Sequence, residues 1–265
     1  MQKRERDNIR QQVTIWAIWL TTCGAILFAL ALPPIGQPLW YHQFADSQPM
    51  FGIPNGWNVI SNIGFLAVGL LGLIHVHQGH LTFPAPLKWA YLVLFASITL
   101  ISLGSSYYHL APDNGTLFWD RLPMATAFMA LFTIVIGEYI SLSAAKRLLI
   151  PFLAIGAFSV IYWHLTEIAG QGDLRLYGLV QFLPLCLMPM ILIGFSSTFS
   201  HQGFYWVLLL CYMVAKLCEV YDQEIFDQSG LISGHSLKHI IATIGLSFLY
   251  LGYRQRTAVL AGDNR

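Results

Sequence analysis

Apolar residues run through this chain in long blocks, at about 13–32, 58–76, 89–110, 118–139, 148–165, 176–195, 203–220 and 235–253. A block of about 17 to 22 residues, wound as α-helix at about 1.5 Å per residue, covers a hydrocarbon core of roughly 30 Å. The pattern therefore predicts eight transmembrane helices. Short polar links with turn chemistry separate them, among them Pro33-Pro34, Asp113-Asn114-Gly115 and Gly170-Gln171-Gly172. This predicts an all-α integral membrane bundle with no soluble domain, linker or repeat period.

Composition agrees. Of 265 residues, 56% are hydrophobic and 10% charged, more apolar than a soluble domain. A net charge of +1 without long like-charged blocks excludes a nucleic-acid surface. Cys23, Cys186, Cys211 and Cys218 all sit in apolar blocks without Cys-x-x-Cys spacing and are expected to pack, not to bind metal. Ala29-Leu30-Ala31 resembles a signal-peptidase site, but the apolar run before it is longer than a signal core, so 13–32 is expected to be a retained helix.

Lysine and arginine set the orientation. With the N-terminus inside, Lys3, Arg4, Arg6, Arg10, Lys88, Lys146, Arg147, Arg254 and Arg256 fall on the inner side. The outer links hold Arg175 and the acids Asp46, Asp113, Asp173, Asp222, Glu224 and Asp227. Both tails, 1–12 and 254–265, are thus expected in the cytoplasm. Trp40, Trp57, Trp119 and Trp163 fall near the outer boundary, as an aromatic belt would.

Polar residues converge at that boundary. The third helix ends in GSSYYH with Ser105 and His109, the fourth brings Asp120, and the eighth opens as GHSLKH with His235 and His239. Both Ser105/His109 and His235/His239 are spaced i, i+4, which puts each pair on one helix face. Three imidazoles with a fourth position open make the ligand set of a catalytic zinc ion. A lone His-x-x-x-His more often serves packing, but ionisable residues at membrane depth are costly and point to function. Other polar residues have simpler expected roles. Arg121 and Lys238 snorkel toward headgroups, Lys216 and Glu219 pair, Glu138 meets solvent, and His75, His77 and His80 are solvated. His164 is open between packing and substrate contact. Gly64, Gly69 and Gly72 are expected to let helices approach closely.

Gly52-Ile53-Pro54-Asn55, Trp57-Asn58-Val59-Ile60-Ser61-Asn62, Ser105-x-x-x-His109, Asp120 in WDRLPM and His235-x-x-x-His239 together resemble the alkaline ceramidases. The likeness is closer to the bacterial ceramidase-like membrane proteins within the CREST superfamily, and GDLR at 172–175 and Ala215-Lys216-x-x-Glu219 add to it. It implies a seven-helix hydrolase domain at 41–253 preceded by one extra helix. It further implies zinc on His109, His235 and His239, with Ser105 and Asp120 completing the site. The animal members carry an acidic calcium-binding stretch, which is reduced here to Asp46 with Asn55 near the place of a glutamate, and this argues against calcium.

Together these imply a zinc-dependent membrane hydrolase cleaving the amide of ceramide or a related acyl lipid to a fatty acid and a long-chain base. Asp120 would carry the proton and Ser105 would bind the oxyanion. The alternatives are a hydrolase of another acyl lipid ester or amide, and a non-catalytic, receptor-like zinc protein. The expected location is the bacterial inner membrane with the site near the periplasmic face.

Overall fold

The computed structural model describes residues 2–259. The side chains of Lys3 and Arg4, and residues 260–265 of the predicted C-terminal tail, lie outside the described residues. Ten helices follow one another among those described: α1 (Gln2–Ala31), α2 (Gly56–Ile60), α3 (Ile63–Gln78), α4 (Lys88–Leu110), α5 (Asn114–Tyr139), α6 (Leu142–Ile168), α7 (Arg175–Gly194), α8 (Gly203–Val220), α9 (Asp222–Ser229) and α10 (Gly234–Gln255).

Each predicted block is helical, and the polar links begin the helices where side chains satisfy free backbone N–H groups. Asp113 Oδ1 accepts from Thr116 N at 2.7 Å, and Thr116 Oγ1 accepts from Asp113 N at 3.1 Å, a reciprocal cap at the start of α5. That backbone hydrogen bond holds the Asp113 carboxyl below its ordinary range. Ser141 and Ser233 cap α6 and α10 in the same way.

Among the described residues seven helical stretches, α2 with α3 counting as one, are long and apolar enough to cross a membrane, so the chain is a multi-pass integral membrane protein. The predicted eighth crossing, α10, is a 22-residue helix. Its Lys238, Arg254 and opening His235, Ser236 and His239 leave it less apolar than the other seven.

Neighbouring helices pack in chain order from α3 to α7, and α10 closes the bundle against α8 and α3. A Cβ on Gly69 or Gly72 would strike Thr99 or Phe95, so these two glycines do admit α4 closely. The extra helix α1 lies along α7, with Gly194 against Thr14 and Arg175 Nη1 donating to Leu32 O at 2.6 Å. Arg175 also pairs with Asp173, which holds that carboxyl low.

Some expectations are corrected here. Glu138 does not meet solvent: it is 1% exposed, because Arg256 folds back from the chain's end and binds both its oxygens, at 2.7 and 2.8 Å. Arg256 is correspondingly not a free charge of the inner surface. Trp163 is fully buried rather than part of a belt, whereas Trp40 and Trp119 are exposed. His75 is tied to Tyr250 Oη at 2.6 Å, so it is not simply solvated. The second predicted block is also broken at Ser61-Asn62, between α2 and α3.

Candidate metal centre

Two glycines set the site helices close. A Cβ on Gly104 would run into the Trp119 carbonyl of α5, and one on Gly234 into the Cys218 carbonyl of α8. Each directly precedes a site residue, Ser105 or His235, so the tight approaches bring α4, α5, α8 and α10 together where their polar side chains lie.

His109, His235 and His239 meet there. Their ring centroids lie 4.9 Å (His109 to His235), 5.1 Å (His109 to His239) and 5.1 Å (His235 to His239) apart. One nitrogen from each falls within 4.8 Å of the others, and the three are between 1% and 5% exposed. Both ring nitrogens of His109 are buried without a hydrogen-bond partner. His239 Nδ1 is held by Ser61 Oγ at 2.8 Å, which leaves its Nε2 as the free nitrogen. Lys238 Nζ lies 3.0 Å from His235 Nε2, and an ammonium only donates, so that nitrogen accepts with its lone pair. Three buried imidazoles with converging nitrogens, one ring wholly unpartnered, make a donor set that fits a borderline ion such as zinc.

Surrounding groups fix these rings. Phe44 packs at 4.7 Å against both His109 and His235. Asp222 accepts from His235 N at 2.6 Å and from Ala45 N at 3.0 Å, tying the outer loop to the start of α10. Asn58 accepts from Ser236 Oγ at 2.6 Å, and Asn55 donates to His109 O at 2.8 Å. Asp46, the remaining carboxylate of the YHQFADSQP loop, accepts from Gln48 N at 3.0 Å.

The other two predicted residues stand beside the triad. Ser105 and Asp120 are 2% and 9% exposed, and the serine hydroxyl faces the carboxylate. Both line a cavity of about 290 Å³ whose wall also includes His239, Arg121, Lys238 and Glu219. His109 and His235 are not on this wall. A second, apolar cavity of about 140 Å³ shares Phe65, Ile101, Met124 and Phe128 with the first and continues past Leu94 and Ile98. The polar chamber thus adjoins an apolar one between the helices.

All five predicted site residues therefore converge. Arg121 and Lys238 do not snorkel to the surface: Arg121 is 6% exposed, and both line the polar cavity. Lys216 and Glu219 form the expected pair, but Glu219 also accepts from Lys238 at 2.9 Å. Tyr41 donates to Glu219 at 3.3 Å, and burial, reinforced by that carboxylate, pushes its phenol well above the ordinary value. His164 packs against Phe118 and is not on the cavity wall. Sequence reasoning gave no role to Ser61, Asn58 or Phe44. Asn58 and Ser61 are signalled by the Trp57–Asn62 segment that carries the resemblance and, with Asn62, by polarity at i, i+3 and i+4 in an apolar block; Phe44 has no such signal.

No protein-family model matches the chain, and no curated protein sequence is significantly similar to it.

Proposed function

We propose that this chain is a zinc-dependent membrane hydrolase of the alkaline ceramidase type, cleaving the amide of ceramide or a related acyl lipid. The observation that carries this reading is the buried cluster of three imidazoles, one of which lines a cavity with Ser105 and Asp120 that adjoins an apolar one. His109, His235 and His239 would hold the ion. When bound, it would supply a Lewis acid for the acyl carbonyl and lower the pKa of a water to about 7.

The chain's own residues then divide the remaining work. Asp120 takes a proton from the attacking water as the new carbon–oxygen bond forms. Ser105 donates its hydroxyl to the carbonyl oxygen as negative charge gathers there, an interaction whose loss typically costs about a hundredfold in rate or more. Asp120 returns the proton to the nitrogen as the carbon–nitrogen bond breaks, giving a fatty acid and an amine. The apolar cavity receives a hydrocarbon chain and keeps bulk water away from it.

In the same reading α10 crosses the membrane as the eighth span and both tails are cytoplasmic. The location is the bacterial inner membrane, with the site near its periplasmic face. The basic residues of the inner links support this orientation.

The test is release of free fatty acid from a panel of ceramides and other acyl lipids by purified protein, with and without a zinc chelator. Chelator-sensitive release is expected. Zinc-loaded protein that releases nothing from any of them would leave the receptor-like alternative standing.

A further inference from the structure

Two arginines are buried among the described residues, and they are satisfied very differently. Arg256 uses its whole guanidinium: Nε donates to Thr82 O, Nη1 to Glu138, and Nη2 to Glu138 and Tyr91 Oη, all between 2.7 and 2.8 Å. This is how a structural arginine is built, with a carboxylate partner and every donor nitrogen engaged.

Arg121 has one hydrogen bond, from Nη2 to Gln37 Oε1 at 2.6 Å. Its guanidinium carbon lies 4.3 Å from the Trp163 ring centre, 4.9 Å from that of Tyr177 and 5.7 Å from that of Tyr41. Among the described residues no carboxylate comes within ion-pair distance of it, and Nη1 is buried with no partner. A guanidinium stays protonated, and a buried cation is costly unless something pairs with it. Aromatic faces hold this one in place but leave one edge of the fork unused.

That arginine is on the wall of the polar cavity. The same wall carries Lys216 and Lys238, which share Glu219, and Asp120, so three cations stand against two carboxylates. A neutral head group gives such a wall too little negative charge. We propose that the substrate of this site is an acyl lipid whose polar end carries an anionic oxygen group, a carboxylate or a phosphate, and that Arg121 binds it. This rests on the hydrolase reading for the word substrate, but the binding itself does not.

The test therefore measures binding on chelator-treated protein, which turns nothing over. Two matched pairs are used in detergent: N-palmitoylglycine against its methyl ester, and ceramide 1-phosphate against ceramide. The first pair reports a carboxylate, the second a phosphate. In wild-type protein the anionic member of at least one pair is expected to bind about ten- to a hundredfold more tightly, the range of a hydrogen bond to a charged group. Arg121→Gln should reduce that preference to near unity with little change for the neutral partner, and Arg121→Lys should restore part of it. Equal binding within both pairs overturns the proposal, and that comparison requires no variant to fold. A wild-type preference that survives undiminished in Arg121→Gln overturns the assignment to Arg121. Anion binding without any fatty-acid release would refute the hydrolase reading and leave this one intact.

Discussion

Ser61 offers the sharpest test of the metal centre, because it touches the site only through another residue. Its hydroxyl lies 2.8 Å from His239 Nδ1 and is buried, with 8% of the residue exposed. Ser61→Ala removes about 1 kcal/mol of hydrogen bond and strands a buried ring nitrogen, for a total of about 1 to 3 kcal/mol. Part of this falls on the folded state and part on the orientation of the His239 ring. Groups that orient a metal-binding histidine typically change metal affinity by about 10- to 100-fold, and zinc is expected to weaken by that factor. The control is Ser102→Ala, since Ser102 is equally buried and donates to Asn62 O at 2.8 Å without contacting any site histidine. Zinc affinity is read by competition with a chelator of known strength, alongside thermal unfolding of the same samples. Both variants should lose similar stability, only Ser61→Ala should lose zinc affinity, and Ser61→Thr should keep most of it. Wild-type affinity in Ser61→Ala, or an equal loss in Ser102→Ala, would refute the reasoning.

Other perturbations separate the remaining roles. Asp120→Asn should retain zinc by elemental analysis while fatty-acid release falls about 10²- to 10⁴-fold, the usual contribution of a proton carrier; an active variant excludes that role. Glu138→Gln leaves Arg256 without its charge partner in a fully buried site and should cost about 3 to 5 kcal/mol, seen as a lower unfolding temperature. Glu138→Leu combined with Arg256→Met should recover most of that, and a double variant worse than the single one would show that the pair does more than neutralise itself. Asp113→Ala removes the cap of α5 and should cost about 1 kcal/mol near neutral pH. Because the folded carboxyl titrates below its unfolded value of about 3.9, this contribution is present above that pH and is lost as pH falls through the folded value. The unfolding-temperature gap between wild type and variant should therefore close below about pH 4, and a constant gap at pH 3 would contradict it.

The bundle was legible because long apolar runs and short turn-forming links leave little choice of structure in a bilayer. Each predicted block is a helix, most with ends within a few residues of those expected. The break at Ser61-Asn62 escaped notice because averaging over twenty residues hides two polar ones. The short helix α9, DQEIFDQS, is too polar to register as a span. That the three histidines come together was legible from i, i+4 spacing at one predicted depth, and their reading as a ligand set drew on the family resemblance. The support of the His239 ring was not legible, because Ser61 lies 178 residues from His239. Arg121 was misread for a geometric reason: it follows Asp120 directly, and neighbouring helix positions point about 100° apart, so one facing the site implies the other facing away. A long side chain cancels that inference by reaching back between Trp163 and Tyr177.

The same error recurred at Glu138, and the two cases together expose an asymmetry in the fold. Charges at helix ends were assigned to solvent or headgroups, yet Glu138, Arg256, Arg121 and Lys238 all turn inward. At the inner end the consequence is a closed network in which Glu138, Arg256, Tyr91, Tyr205 and Tyr253 satisfy one another. At the outer end the buried groups without partners include both nitrogens of His109 and Nη1 of Arg121. Buried polar atoms are almost always paired, so each one left over calls for an explanation, and a ligand that supplies the partner is one. A neutral His109 ring offers one lone pair, which a cation would satisfy, and one N–H; Arg121 Nη1 offers only donors, which an anionic oxygen would satisfy. These needs differ in kind, whereas the Glu138–Arg256 network is complete in itself and ties the end of α5 to the end of α10.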